Sequence, residues 1–327
     1  MLTTIALFLQ RAIIQGVPLL FGSTGEIITE KSGNLNLGIP GIMYMGGISG
    51  VVGAFFYERS TTSPNAFLAV LIPFLSALIG AAFLSLIYSF LTITLRANQN
   101  VTGLALTTFG VGIGNFLGGS LSSLFGEGGS IALTKTSLYF QTALPFASKL
   151  GLFGQVFLSY GFLVYLAIAV ALLVSWFFNH TRAGLNLRAV GENPATADAA
   201  GINVTRYKYL ATCIGGAIAG LGGLYFVMDY TCGVWTNGGF GDRGWLAIAL
   251  VIFALWRPNF GILGSILFGG LYIVYLFIPG LDRSTQEIFK MLPYVVTIVV
   301  LILISMRKKR ENQPPAHLGL SYFREER

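Results

Sequence analysis

Residues 181–207 read TRAGLNLRAVGENPATADAAGINVTRY, a polar stretch set between two long apolar runs, 155–178 and 207–228. A helix crossing the hydrocarbon core needs about 20 mostly apolar residues. Each flank satisfies that requirement, and the stretch between them is too polar to cross. It carries its own helix signals instead. Asn193-Pro194 is a good start, because Asn caps and Pro is tolerated at the first helical position. Ala195 to Ala200 are mostly strong helix formers, and Gly201 supplies a stop. The pattern predicts a short surface helix that is marginal alone in water, so a partner groove or the bundle itself must hold it.

Working outward, further apolar runs cover 5–22, 37–57, 66–95, 101–121, 244–256, 260–279 and 288–306. The run 66–95 is long enough to hide a kink, and 244–256 is too short to cross unless its ends are irregular. Hydrophobic residues make up 54% and charged residues 10%, against about 25% charged in a soluble domain, so the outer surface must face lipid. The expected fold is all-α, a polytopic transmembrane helix bundle of about 8–10 spans. One membrane domain, 1–306, contains the polar segment 181–206. A basic tail, 307–327, holds Pro314 and Pro315 and reads as disordered. The amino terminus lacks a basic flank and a small-residue cleavage site, so it reads as the first span.

Lys and Arg set the orientation. Alternating back from the tail places Lys31, Arg96, Arg182, Arg188, Arg206, Lys208 and Arg257 on the cytoplasmic side with the tail. The opposite side receives Arg59, Lys135, Lys149, Arg283 and Lys290. With the tail included the bias is thirteen against five, which puts the carboxy terminus in the cytoplasm. Nine spans then put the amino terminus outside. The external loop 122–154 carries Glu127, Tyr139 and Phe140.

Several functions are disfavoured. The net charge of +7 does not mark a nucleic-acid binder, because Arg307, Lys308, Lys309 and Arg310 follow an apolar run as a stop signal does. Cys213, Cys232, His180 and His317 form neither a metal spacing nor a disulfide framework. No catalytic grouping and no G-x-x-x-x-G-K-[ST] loop is present, so this chain binds no cofactor of that kind and any ATP belongs to a partner. Ion coupling needs ionisable groups at membrane depth; Asp229 and Asp242 near span ends keep an ion-coupled secondary transporter as the alternative.

Three segments are unlike ordinary spans. In GEIITEKSGNLNLGIPGIMYMGG, residues 25–47, the polar Glu30, Asn34 and Asn36 run into an apolar helix broken by Gly38, Pro40 and Gly41. Such broken backbone is tolerated only in protein or along a cavity, where transporters place substrate. In RANQNVTGLALTTF, residues 96–109, Asn98, Asn100 and Thr107 serve either a polar ligand or helix capping and packing. Around Tyr225–Trp256, the residues Trp235, Asn237, Asp242, Arg243 and Trp245 suit either a hydrogen-bonding, ring-stacking path or an aromatic belt. Glycines four apart (Gly110, Gly114 and Gly118; Gly216 and Gly220) predict close helix packing.

The segment from Leu187 to Val204, with ITEKSGNLNLGIPGIMYMGG, NQNVTGLALTTFG and GDRGWLAIALVIFALWRPNFG, resembles permeases of the branched-chain amino acid and ribose class of bacterial ATP-binding-cassette importers, nearest the nucleoside and simple-sugar branch. The resemblance implies a multi-pass protein of the bacterial inner membrane, paired with a second permease. It also implies partner ATPase subunits that carry ATP and Mg, and an extracytoplasmic binding protein or lipoprotein. Arg188, Glu192, Asn193, Asp198, Ala200 and Gly201 would engage the ATPase. The segments 30–41 and 237–249 would face each other across a pseudo-twofold inverted repeat and line the path. Pro40, Thr107, Thr108 and Ala254 depart from the family pattern. These departures fall in the presumed path, so the resemblance fixes the class more firmly than the substrate: nucleosides lead, with a simple sugar or a flavin-like vitamin as alternatives.

Overall fold

The first helix runs well past its predicted end. The computed structural model describes residues 2–124, 130–143, 151–307 and 313–323, and in it α1 spans Leu2–Glu30. Ser23, Thr24, Glu26 and Thr29 are buried in protein, where the helix continues through residues that lipid would not accept. Hydropathy alone stops at Gly22 because it cannot see that shelter. The next helices are α2 (Ile39–Ser60), α3 (Ala66–Ser89, with a π-helical turn over Phe90–Thr94) and α4 (Gln99–Leu124). Beyond them lie β1 (Ser130–Ala132), α5 (Thr134–Phe140) and α6 (Gly151–Phe157).

After α7 (Phe162–His180) the predicted surface helix is present as α9 (Pro194–Ala199), and it is preceded by a second helix that the sequence pattern does not mark, α8 (Arg182–Glu192). Thr181 caps α8 through the Gly184 N–H, and Asn193 caps α9 through the Thr196 N–H at 3.0 Å. Gly201, at φ +84°, closes α9, with the Ile202 N–H returning to the Ala197 carbonyl. The chain ends with α10 (Val204–Tyr225, then a π-helical turn to Tyr230), β2 (Val234–Thr236), α11 (Arg243–Phe253), α12 (Pro258–Ile273), α13 (Arg283–Lys290) and α14 (Leu292–Arg307). The run 155–178, expected as one span, is broken between α6 and α7. The last run breaks at Met291, because Pro293 lacks an N–H and sits in the first turn of α14.

Among the described residues, eight helical segments are long and apolar enough to cross a membrane, and α11 is shorter. The two strands pair antiparallel, Ile131 opposite Trp235, and mark one end of the bundle. At the other end α8 and α9 meet the loop after α1. The stretch from β2 to Trp256, with α11 as its inner part, leads from the strand end to Glu30 near α8–α9. With the eight long segments the described residues therefore pass between the ends nine times, and α1 starts at the strand end. Glu127, Lys149, Lys308, Lys309, Arg310, Arg324 and Arg327 lie outside the described residues.

Close backbone approach holds the centre together. A Cβ on Gly46 would collide with the Gly220 backbone, one on Gly223 with the Met43 carbonyl, and one on Gly110 would sit 2.6 Å from the Gly41 oxygen. The glycine spacing in α4 and α10 therefore does mark packed faces. We predict that Gly223→Val destabilises the detergent-solubilised protein by about 1–3 kcal/mol. Gly112→Ala, where nothing lies within 4 Å, should be neutral. Equal melting of the two variants by size-exclusion thermal challenge would refute the close approach.

Candidate functional site

The last turns of α1 carry Glu26 and Glu30 one turn apart, on the same helical face. Gly33, at φ +88°, lets the loop 31–38 fold back, and side chains from several helices satisfy it. The Asn36 N–H donates to Glu26 Oε1 at 3.1 Å, and Asn36 Oδ1 accepts the Gly38 N–H at 2.9 Å. Asn34 Nδ2 donates to Thr212 Oγ1 of α10 at 3.1 Å. The Leu35 N–H reaches Gln99 Oε1 at 2.7 Å, while its carbonyl accepts the Tyr88 hydroxyl at 2.6 Å. Thr107 of α4 donates to the Leu37 carbonyl at 2.8 Å.

Glu30 receives the indole N–H of Trp256. Leu255 and Trp256 both have positive φ, 57° and 54°, an arrangement costing on the order of 1–3 kcal/mol per residue. It turns the end of α11 so that the indole meets the carboxyl group. Glu30, Asn34 and Asn36 are all buried, so in this conformation they form a sealed knot. Asn34 Oδ1 and Asn36 Nδ2 have no protein partner.

A second group lies nearer the strand end. The Tyr44 hydroxyl donates to Asn115 Oδ1 at 2.5 Å and accepts the Gly238 N–H at 2.9 Å. Trp235 packs edge-on to Tyr44, with centroids 4.9 Å apart, and its indole donates to Asn237 Oδ1 at 3.1 Å. Asn237 Nδ2 reaches the Asn115 carbonyl at 3.4 Å. Asn237 and Asp242 are exposed, whereas Arg243 is buried. Its guanidinium lies over Phe226 at 4.5 Å and Tyr230 at 4.8 Å, and it donates to the Phe240 carbonyl and Gln15 Oε1. Aromatic faces thus carry much of its charge.

The segments 30–41 and 237–249 do meet, since Gly244 packs on Pro40. Trp245 is half-buried on the first turn of α11. Asn98 and Asn100 stand apart and exposed, and Asn98 accepts the Val101 N–H at 3.1 Å as a helix cap.

The α8–α9 end differs from expectation in one respect. Residues 313–323, expected to be disordered, lie folded against it. The His317 N–H donates to the Gly191 carbonyl at 3.0 Å, and the Gly319 N–H to the Gly33 carbonyl at 3.2 Å. The Tyr322 hydroxyl donates to Asp198 Oδ2 at 3.0 Å, and the Ala316 N–H to Glu192 Oε2 at 3.3 Å. Leu318 enters an apolar cluster drawn from α1, α7, α8, α10, α11 and Trp256, and Tyr322 one drawn from α8, α9 and α10, which local composition does not reveal. Burial, with Lys208 nearby, lowers the His317 pKa, and burial lowers that of Lys31 against the opposing pull of Glu192.

Grooves flank α8 and α9 on either side. One, of about 800 Å³, is lined by Arg96, Asp198, Gly201, Arg206 and Tyr322. The other, of about 840 Å³, is lined by Lys31, Arg188, Glu192, Trp256 and Arg257. Thr196, Ala199, Ala200 and Gly201 are exposed.

The family described as branched-chain amino acid transport system / permease component matches residues 8–301. The chain belongs to that family. It is 34% identical to the nucleoside ABC transporter permease protein NupC of Lactococcus lactis, over 92% of both chains. It is 31% identical to a putative glucose ABC transporter permease protein, TsgC13, of Haloferax volcanii, over 94% of both. The guanosine ABC transporter permease protein NupQ of Bacillus subtilis is 28% identical over 91% of both. No solved structure matches. As a permease subunit the chain is a transport component, not an enzyme, and its ATPase activity lies in a separate subunit.

Reading by sequence missed Glu26, Tyr44, Asn115, Gln15 and Trp256 as site residues. Glu26 was detectable as a carboxyl group one turn before Glu30; the others depend on long-range contacts. The Tyr44 hydroxyl bridges two partners, so Tyr44→Phe should cost about 1–3 kcal/mol. Combined with Asn115→Leu it should show a coupling of about 0.5–3 kcal/mol in a double-mutant cycle of thermal unfolding. Strict additivity would mean that the two side chains do not act together.

Proposed function

We propose that this permease imports nucleosides, as half of a membrane-spanning pair driven by ATPase subunits that bind α8–α9. The observation that carries the reading is end-to-end similarity to a nucleoside permease, at 34% identity over 92% of both chains. The geometry fits it. Asn237 offers an exposed amide beside Gly238, backed by Tyr44 and Trp235, which are buried against each other and bonded to Asn115, Gly238 and Asn237. An amide on an aromatic floor suits a flat base carrying hydrogen-bonding edges. A simple sugar is the second reading, favoured by the 31% identity to a glucose permease.

On this reading α8–α9 and the carboxy-terminal segment face the cytoplasm of a bacterial cell, and the β1–β2 ribbon faces outward, where a substrate-binding protein or lipoprotein delivers its load. ATP and Mg are held by the partner ATPase. Substrate passes between the segments 30–41 and 237–249 by alternating access. Asn193 is committed to capping α9, and Glu192 and Asp198 bond the tail. The exposed Thr196, Ala199, Ala200 and Gly201 therefore form the outermost surface that an ATPase groove would take.

Tagged protein drawn from native membranes in mild detergent should bring an ABC ATPase and a second permease. Ala200→Trp should reduce ATPase recovery about tenfold without reducing the chain's own yield, as truncating or blocking a central contact does. Asn237→Ala should lower guanosine uptake while assembly persists. Recovery of the wild-type chain without any ATPase would overturn the reading.

A further inference from the structure

Residues 313–323 touch three parts of the molecule that are distant in sequence: the α8–α9 pair, the loop after α1 and the start of α4. They bond α8 through Gly191 and Glu192, α9 through Asp198, and the loop after α1 through Gly33. Gln99 at the start of α4 joins them: its Oε1 accepts the Leu35 N–H at 2.7 Å, and its Nε2 donates to the Leu320 carbonyl at 3.4 Å. The Arg96 guanidinium lies 4.6 Å from the Phe323 ring centroid. Beneath the segment, α8 and the loop are in direct backbone contact, since a Cβ on Gly191 would strike the Lys31 carbonyl. The segment lies across that seam, with Gly319 at φ +80° turning the chain over it.

The loop in turn leads inward. Its far end bonds Glu26 through Asn36 and passes into Pro40, which packs on Gly244. Any displacement of α8–α9 that the segment passes to Gly33 and Leu35 therefore reaches the contact between the first turn of α2, which runs unbroken through Pro40 and Gly41, and the first turn of α11.

We propose that residues 313–323 are a transmission strap, which makes α8–α9 and the loop 31–38 move as one body and so couples ATPase closure to opening of the path. The proposal rests on the reading that an ATPase engages α8–α9. A strap differs from a docking element in what its loss does. ATPase binding and hydrolysis continue, but transport per ATP falls, because α8–α9 then carry the loop only through the packing of Gly191 on Lys31, without the bonds that clamp the two together.

The test uses the full complex, with guanosine as the transported probe. Two variants are compared with wild type: deletion of residues 313–327, and the milder pair Leu318→Asn with Tyr322→Phe, which decides the matter where the deletion fails to accumulate. ATPase co-purification, ATP hydrolysis and guanosine uptake are measured on the same preparations. The strap predicts unchanged co-purification, retained hydrolysis, and uptake per ATP reduced about tenfold, in the ordinary range for coupling between sites. Unchanged uptake per ATP would overturn it, and so would loss of the ATPase from the Leu318→Asn/Tyr322→Phe pair, which would make the segment part of the docking surface. Failure of the underlying reading looks different: the wild-type chain itself would retrieve no ATPase.

Discussion

Backbone that leaves helical geometry while buried in protein has no water to satisfy it, and the loop 31–38 meets that constraint with side chains from other elements. Tyr88 comes from α3, Gln99 and Thr107 from α4, Thr212 from α10 and Glu26 from α1. Each of these helices is therefore held to the loop by a polar bond as well as by apolar packing. The glycine contacts follow from the same geometry. Only backbones that approach as closely as Gly46 and Gly220 do leave side chains such as Asn34 and Thr212 within hydrogen-bonding reach across helices.

The two ends of the proposed path are built differently, and the difference has a mechanical meaning. At the strand end Asn237, Gly238 and Asp242 are exposed, and Trp235 rests on Tyr44. At the α8–α9 end Glu30, Asn34 and Asn36 are sealed and bonded. Alternating access requires that the two ends never open together, and this conformation is closed at the α8–α9 end. Each hydrogen bond exchanged for water costs about 1 kcal/mol net, and the inner knot has at least five, so opening it takes several kcal/mol. On the importer reading that work comes from the partner ATPase, consistent with the placement of α8–α9 beside the knot.

Much of this was legible in the sequence, where the signal is local. Apolar runs located the crossing helices, and Asn193-Pro194 with Gly201 located α9, because caps and stops act over a few residues. The segment 30–41 announced itself by polar residues running into glycine and proline. What escaped was set by contacts across the chain. Trp256 reaches Glu30 from 226 residues away, and nothing near either residue signals the pairing. Arg243 read as a polar path residue, yet Phe226, Tyr230 and Tyr272 surround its guanidinium. The tail read as disordered because it holds two prolines and several charges, while Leu318 and Tyr322, which dock it, find apolar partners on α1, α7, α8, α9, α10 and α11. Asp198 and Glu192 read as contacts for an outside partner, and they bond this chain's own terminus, a role that the sequence does not signal.

Those bonds bear on how a short helix can carry force. An element as small as α9 has little intrinsic stability, and a load applied to it alone would unwind it before moving anything else. Here Asn193 fixes its first turn, Gly201 closes its last, and Val190, Ala197 and Val204 pack together beneath it with Tyr322 against them. Its inner face is thus apolar and shared with α8, α10 and the tail, while its outer face presents small residues. A push on that outer face meets a body far larger than α9. The stiffness needed for transmission comes from tertiary contacts, several of them supplied by the carboxy-terminal segment, so the fold places its most conditional packing where the proposed work enters.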